Sequence, residues 1–366
     1  VVDKRLIRAT PRAFASTRAF GRTTTKTTSG STSEPFTIYK DAEAMAREQA
    51  AMFRAYAWAG IAPGMRQARF WGNPLSIRAR IHAAIRDLAL NRTRFSAFDY
   101  SAAEFEKCAA RLRKQGPCYL YGYASALHQF ALHVQQRDYH FVNIEAVITT
   151  SDMLTEQART CISEALSAPV FNEYGCAEAG VIAHEDLSGR MYINAENVCI
   201  EVLNEHGNVT TEGEGTLIVT ELHNRVQPLI RYTLGDRGAI GHAPEPGHKG
   251  LPIITRLDGR IRDELVGPRG ERYSSSYIAY LFKELHEHIP IRQYQAIQTG
   301  RLLRFRIAVS DTYRESIEKR LDALVRKSFG DYFRCKFEYP EIILPESSGK
   351  FRQFVQQSAH RNEDAL

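Results

Sequence analysis

Five short stretches of this chain hold side chains whose types and spacing suit chemistry on a phosphorylated small molecule. The first is Thr28-Ser29-Gly30-Ser31-Thr32-Ser33-Glu34-Pro35. Small hydroxyl residues around a glycine let the backbone approach phosphate oxygens, to which amides and hydroxyls donate. Its spacing differs from the lysine-bearing loop of P-loop nucleotidases. The second, Asn172-Glu173-Tyr174-Gly175-Cys176-Ala177-Glu178, sets an aromatic ring and a carboxylate around a glycine at a strand end. The ring suits stacking on a base, and the carboxylate suits Mg²⁺ held beside phosphates. In the third, Arg231-Tyr232-Thr233-Leu234-Gly235-Asp236, a carboxylate after glycine can accept from two vicinal ribose hydroxyls. The fourth, Asp258-Gly259-Arg260-Ile261-Arg262-Asp263, concentrates charge around a glycine and suits a hinge that resets a site between steps. The fifth runs from Leu344 to Arg352 and carries Lys350 beside Gly349. From there an ammonium can neutralise charge developing at a phosphoryl centre. Each stretch also has an ordinary reading: a Ser/Thr linker, a strand ending in a turn, an Asx-capped turn, a solvated turn, an exposed tail lysine.

The elements around these stretches follow from periodicity. Residues 23–35 read as a loop or linker, ended by Pro35, before a short strand at Phe36-Thr37-Ile38-Tyr39. Asp41 caps a helix whose expected apolar face is Ala46, Ala50, Phe53 and Ala57, stopped by Gly60 and Pro63. Ile144–Thr150 is a buried-strand pattern, Thr155 opens a helix ending near Ser167, and Pro169 starts another strand. Strand, helix, strand at this spacing predicts a βαβ unit in a parallel sheet. From Val198 to Tyr232 come short strands, VCIEVL, TLIVTEL and LIRY. A Gly/Pro/His-rich loop at 241–252 precedes a smaller α+β segment, with a strand at 301–309. A helix follows on Ile317, Leu321, Leu324, Val325 and Phe329, capped by Gly330.

At 366 residues the chain is too long for one ordinary core. No apolar run approaches the roughly 20 residues that span a bilayer, so no membrane insertion is expected. The net charge of +6 is spread without a basic block, which favours an anionic small molecule over nucleic acid. The six cysteines form no C-x-x-C pair and read as reduced thiols of a cytoplasmic protein. The Arg/Thr-rich first 27 residues are similar to a transit peptide, but they run straight into the phosphate-loop candidate. They are read instead as the beginning of a chain that starts inside a larger domain.

Taken in order, the stretches resemble the adenylate-forming superfamily of acyl-CoA ligases, luciferases and peptide-synthetase adenylation domains. The closer resemblance is to the phenylacetate–CoA ligase branch with its capsule-biosynthesis-type members. TSGSTSEPF resembles the phosphate loop TSGSTG-x-P, ITTSDMLT the strand SGE-x-L, and NEYGCAEAG the YG-x-S/T-E motif. PLIRYTLGD, DGRIRD and LPESSGKFR resemble the family's ribose, hinge and terminal lysine motifs, so the likeness runs from about Thr28 to Arg352. The resemblance implies an α/β fold. Residues 1–258 would form a large ATP- and carboxylate-binding domain of mixed sheets and helices, shortened at its start. Residues 259–366 would form a small mobile α+β domain carrying the catalytic lysine. It implies that Ser29, Gly30, Ser31 and Thr32 contact phosphates and that Asn172, Glu173, Tyr174 and Gly175 form the nucleotide wall, with Tyr174 on adenine. Asp236 would hold the ribose, Glu178 would bind Mg²⁺, Arg260 would approach from the hinge, and Lys350 would bridge carboxylate and α-phosphate.

The implied activity is ATP-dependent formation of an acyl-AMP from a small carboxylic acid, with transfer to CoA. The alternatives are an amine acceptor in polysaccharide or small-metabolite synthesis, and a non-catalytic nucleotide-binding relative. The acid would enter near Tyr123, Ala124 and Ser125, and Trp58, Phe70 and Trp71 would suit an aryl or apolar acid. ATP, Mg²⁺ and CoA are the expected cofactors. Zinc is not expected, because His184, Asp186 and Cys176 fall short of four ligands. The oligomeric state stays open, a homodimer included. Ser33 in place of a glycine and Ala177 in place of a hydroxyl residue depart from the pattern.

Overall fold

The computed structural model of the chain describes residues 1–18, 21–28, 36–72, 77–242, 250–259, 265–273, 276–286, 289, 291, 293–341, 343 and 354–357. Asp3 opens the short helix α1 (Lys4–Ala9), accepting from the Leu6 amide at 2.8 Å. Strand β1 (Thr23–Thr28) pairs antiparallel with β2 (Phe36–Asp41), Thr28 opposite Phe36. The expected linker is therefore a strand up to Thr28. Threonine is β-branched and suits a pleated surface, which a reading by polarity alone overlooks. Asp41 caps α2 (Ala42–Trp58), as expected, through the Ala44 amide at 2.8 Å. The buried face of α2 is a different one: Ala44, Ala51, Ala55 and Tyr56 face inward, while Ala46, Ala50, Phe53 and Ala57 are exposed. Alanines give little contrast between faces, and Tyr56 outweighs Phe53 because a buried carboxylate accepts its hydroxyl.

Residues 66–176 alternate strand and helix. The elements are β3 (Arg66–Trp71), α3 (Ile77–Ala89), β4 (Arg92–Ser96), α4 (Ala102–Arg113), β5 (Cys118–Tyr123), α5 (Ala124–Gln136), β6 (Ile144–Thr150), α6 (Glu156–Leu166) and β7 (Val170–Cys176). The strands pair parallel in the order β4-β3-β5-β6-β7. Helices α4, α5 and α6 cover one face, where Phe105, Phe130 and Ile162 meet Phe70, Leu120 and Val147. On the other face Tyr56 of α2 meets Tyr119, Tyr121, Ile148 and Phe171. Burial on both faces is why IEAVITT lacks alternation and still forms β6. Thr155 caps α6, and Ser167 ends it in the left-handed region at φ 51.

The sheet continues antiparallel through β8 (Gly180–Glu185), β9 (Met191–Ile193), β10 (Val198–Leu203), β11 (Val209–Thr210), β12 (Gly213–Glu221), β13 (Tyr232–Gly241) and β14 (Ile253–Gly259). Its order from β7 outward is β8-β9-β14-β13-β12-β10-β11, giving a 12-stranded mixed sheet. The expected strand LIRY begins only at its last residue, because Arg231 sits at φ 45. Beyond Gly259 come β15 (Leu265–Val266), β16 (Arg272–Tyr273), α7 (Ser276–His286), β17 (Gln293–Thr299), β18 (Leu302–Ala308), α8 (Arg314–Phe329), β19 (Arg334–Glu338) and β20 (Phe354–Gln357). A four-stranded sheet, β19-β18-β17-β20, carries α8, which buries Ile317, Leu321, Val325 and Phe329 as its period requires. The fold is thus α/β, a large mixed sheet with a smaller C-terminal sheet region. The two meet beyond β4: Phe98 stacks on Tyr280 at 4.4 Å, and Lys327 pairs with Asp99 at 2.5 Å.

Candidate active site

The carboxyl ends of the parallel strands converge on one edge, where open α/β sheets bind ligands. Trp71 ends β3, Tyr123 ends β5, Thr150 ends β6, and Asn172 to Gly175 end β7. Trp71 packs on Tyr123 at 4.8 Å and stacks on Tyr121 at 5.7 Å, and Phe98 meets Tyr123 at 5.1 Å. These rings form an aromatic wall. Helix α5 starts directly after Tyr123, and a helix N-terminus favours an anion. Asp152 takes that place here, accepting from the Ser125 hydroxyl at 2.6 Å.

Across from β7, the Tyr174 hydroxyl donates to Asp236 Oδ2 at 2.9 Å. The two residues are 62 apart in sequence and belong to separate motifs. Four strand spacings separate β7 from β13, about 19 Å in a flat sheet, so the sheet must curl to close that distance. Two irregularities assist. Between Thr216 and Ile218 on β12, the facing β13 steps from Arg237 to Thr233, so Leu234, Gly235 and Asp236 bulge out. Bulges re-aim side chains in this way, and Gly235 takes φ 75 inside it. On β7 the register slips between Tyr174 and Gly175. A Cβ on Gly175 would lie 2.4 Å from the Gly180 carbonyl oxygen, so only glycine fits there. An aromatic face beside an anchored carboxylate is what an adenosine requires: a surface for the base and an acceptor for the ribose diol.

Glu178, in the turn after β7, is buried. Its Oε1 pairs with Lys4 Nζ of α1 at 2.5 Å and receives the Tyr232 hydroxyl at 3.4 Å. Burial opposes its charge, but the Lys4 ammonium outweighs this and holds the carboxyl below the usual range. Helix α1 is anchored there, since Ile7 joins the core of Ile38, Ala179 and Tyr232, and Val2 bridges to Tyr232. A single carboxylate shared with phosphates is a normal Mg²⁺ arrangement. Lys4 occupies that carboxylate in this state, so a metal there would have to displace it. Among the described residues no three His, Cys, Asp or Glu side chains gather around a common point.

Glu173 does not join the nucleotide wall with its side chain. Strand alternation sends it to the face opposite Tyr174. There it receives Tyr56 at 3.0 Å and Tyr121 at 2.9 Å and is buried. Burial pushes its carboxyl above the ordinary range. His184 of β8 lies 3.8 Å from it, with Nε2 buried and unpartnered, and burial pushes this imidazole down to about 3. The contact is therefore not an ion pair. Asn172 stays at the edge: its amide donates to Glu185 at 2.8 Å, and Glu185 is held by Arg159 at 2.8 Å.

The remaining residues singled out by sequence divide as follows. Ser29, Gly30, Ser31, Thr32, Arg260 and Lys350 lie outside the described residues. Trp71 lines the edge, whereas Phe70 is core beside Phe95 and Phe130, and Trp58 packs on Tyr192. His184, Asp186 and Cys176 part company: Asp186 accepts from Ser188 and Arg190, and the Cys176 sulfur accepts from the Ala179 amide. Sequence reading missed Lys4, Asp152 and a buried charge cluster under the β1–β2 hairpin. In that cluster Lys40, 1% exposed, pairs with Glu48 at 3.1 Å and Glu221 at 2.9 Å. Glu48 also meets Lys26 at 3.3 Å and packs against Gly180, which has φ 79. The cluster ties the β1–β2 hairpin to the turn that carries Glu178. A strand reading FTIYKD gives no local signal that its lysine points inward.

Solved structures share this architecture. A 2-hydroxyisobutyryl-CoA ligase in complex with 2-HIB-AMP and CoA, in the thioesterification state, superposes with a TM-score of 0.61 at 18% identity, covering 98% of this chain and 80% of that one. The same ligase in the postadenylation state with 2-HIB-AMP gives 0.56 at 18% identity, covering 98% and 79%. The chain shares the fold of this CoA ligase. Protein CapK of Staphylococcus aureus is 23% identical over 331 residues, 89% of this chain and 72% of CapK. No family profile matches the chain.

Proposed function

We propose that the chain is an ATP-dependent ligase that activates a carboxylic acid as an acyl-AMP and passes the acyl group to CoA. The observation that carries this reading is the Tyr174–Asp236 hydrogen bond at 2.9 Å, at the ligand edge of an adenylate-forming fold. Adenine would lie on the Tyr174 ring, and Asp236 would accept from the ribose diol. Ser29, Gly30, Ser31 and Thr32 would hold the phosphates. Arg260 and Lys350 would approach from residues 259–366, acting as a small domain that rotates against 1–258 between half-reactions. The acid's carboxylate oxygen attacks the α-phosphorus as the bond to pyrophosphate breaks, and pyrophosphate leaves with the electron pair. The protein's part is positioning and charge neutralisation. Bound Mg²⁺ would neutralise phosphate charge, with Glu178 as its carboxylate once Lys4 withdraws. The wall of Trp71, Tyr123 and Phe98 supports an aryl or apolar acid.

A second reading, a nucleotide-binding relative without catalysis, draws on Lys4 at Glu178 and on Ala177. The test is AMP release from ATP with a panel of acids and either CoA or amines as acceptor. CoA-dependent release that Lys350→Ala abolishes supports the proposal. Amine-dependent release would replace the acceptor. ATP binding without release under any condition would favour the second reading.

A further inference from the structure

We propose that α3 is a peripheral docking helix that rests the protein on an anionic lipid surface. Independent of the ligase reading, the proposal starts from exposure. Ile77 is 76% exposed, Ile81 56%, Ile85 61% and Leu88 84%, the largest run of exposed apolar side chains on one described element. At 100° per residue these four fall within an arc of about 80° on one side of the helix. The side that meets the body is elsewhere. Asp87 is the buried residue of α3, held by Arg94 at 2.8 and 3.0 Å, and it lies roughly 115° from the centre of the apolar arc on the same helical geometry. Ala83, partly buried, shares its side. The stripe therefore points away from the protein, and it stands at the sheet's edge, between β3 and the terminal strand β4.

Charge decides the occupant. Arg78, with His82, flanks the stripe on one side and Arg80 on the other, while Arg86 lies on the opposite face of the helix, and all four are exposed. The helix has one carboxylate, Asp87, and Arg94 already holds it. Among the described residues, Arg78, Arg80 and Arg86 form no ion pair. A second copy of α3 laid against this stripe would bring arginines onto arginines. An anionic headgroup layer instead matches a straight, convex apolar stripe bordered by guanidinium groups, which is the make-up of helices that lie in the membrane interface. Such docking needs no spanning segment, and no described helix is long and apolar enough to cross a bilayer.

The test is flotation of the full chain with vesicles of phosphatidylcholine alone or mixed with phosphatidylglycerol. Ile81→Gln/Ile85→Gln serves as the variant, since it leaves charge unchanged and alters only exposed positions. Circular dichroism and light scattering are run alongside. We expect binding to the mixed vesicles, little to phosphatidylcholine alone, loss with added salt, and at least a tenfold loss in the folded variant at constant solution mass. Absence of binding to anionic vesicles would overturn the proposal, as would equal binding by the variant. A wild-type dimer that the variant converts to monomer would assign the stripe to a second copy and also overturn it.

Discussion

Asp236→Asn is the perturbation that bears most closely on the nucleotide site. Asp236 accepts the Tyr174 hydroxyl at 2.9 Å from a bulge that aims it across the curled sheet. Replacing the carboxylate by an amide keeps the size and the acceptor oxygen but removes the charge and presents a donor toward the ribose. A hydrogen bond to a charged group is worth about 1.5–3 kcal/mol. ATP affinity should therefore fall about ten- to a hundredfold, at roughly 1.4 kcal/mol per factor of ten. Titration calorimetry with ATP and with 2′-deoxy-ATP separates this loss from a general disturbance. The wild type should prefer ATP over the deoxy compound, and Asp236→Asn should erase that preference, because the lost partner is the 2′-hydroxyl. Tyr174→Phe keeps the ring and should change ATP affinity only a few-fold. If Asp236→Asn binds ATP as tightly as the wild type, or weakens both nucleotides equally while keeping the preference, Asp236 does not hold the ribose.

Three further outcomes are expected. Glu178→Gln should lower stability by about 1–2 kcal/mol at neutral pH, since it strips a buried carboxylate from a partly exposed lysine. The carboxyl of Glu178 is depressed in the fold, so its contribution is complete above the ordinary 4.5 and fades as pH falls below it. Denaturant titrations of wild type and variant should therefore converge in acid. Lys40→Met should cost about 3–5 kcal/mol by leaving the carboxylates of Glu48 and Glu221 without their buried cation, measured by the urea midpoint. His184 is neutral in the fold, with its imidazole near 3, while the unfolded chain accepts that proton near 6.5. The unfolded state thus binds more protons between these values, and stability falls as pH is lowered through them. His184→Gln should flatten that part of the stability–pH curve.

The parts of this protein legible in its sequence were those set by local rules. The run from Ile144 to Gly175 announced strand, capped helix and strand, and the caps at Asp41, Thr155 and Gly330 were all found where side-chain chemistry placed them. The faces were harder. The α2 stripe was misassigned because seven alanines obscure the difference between inside and outside, and Thr23–Thr28 was read by polarity rather than by branching. Glu173 was treated as one block with Tyr174, although period-two alternation already separates neighbours on a strand. Other features depend on contacts that no local pattern encodes. Lys4 reaches Glu178 across 174 positions, and Lys40 reaches Glu221 across 181, the differences of their residue numbers. Packing of α1 and of the separate β1–β2 hairpin against the large sheet makes these pairs, and the curl of that sheet brings Tyr174 to Asp236.

The most direct measurement is carboxylate-dependent exchange of labelled pyrophosphate into ATP, with Mg²⁺ and a panel of aryl and aliphatic acids. Adenylation is reversible at its first step, so exchange reports acyl-AMP formation whatever the final acceptor. The account predicts exchange that requires an acid, favours aryl or apolar members of the panel, and is reduced in Asp236→Asn at ATP concentrations that just saturate the wild type. A folded protein that binds ATP and supports no exchange with any acid would contradict it.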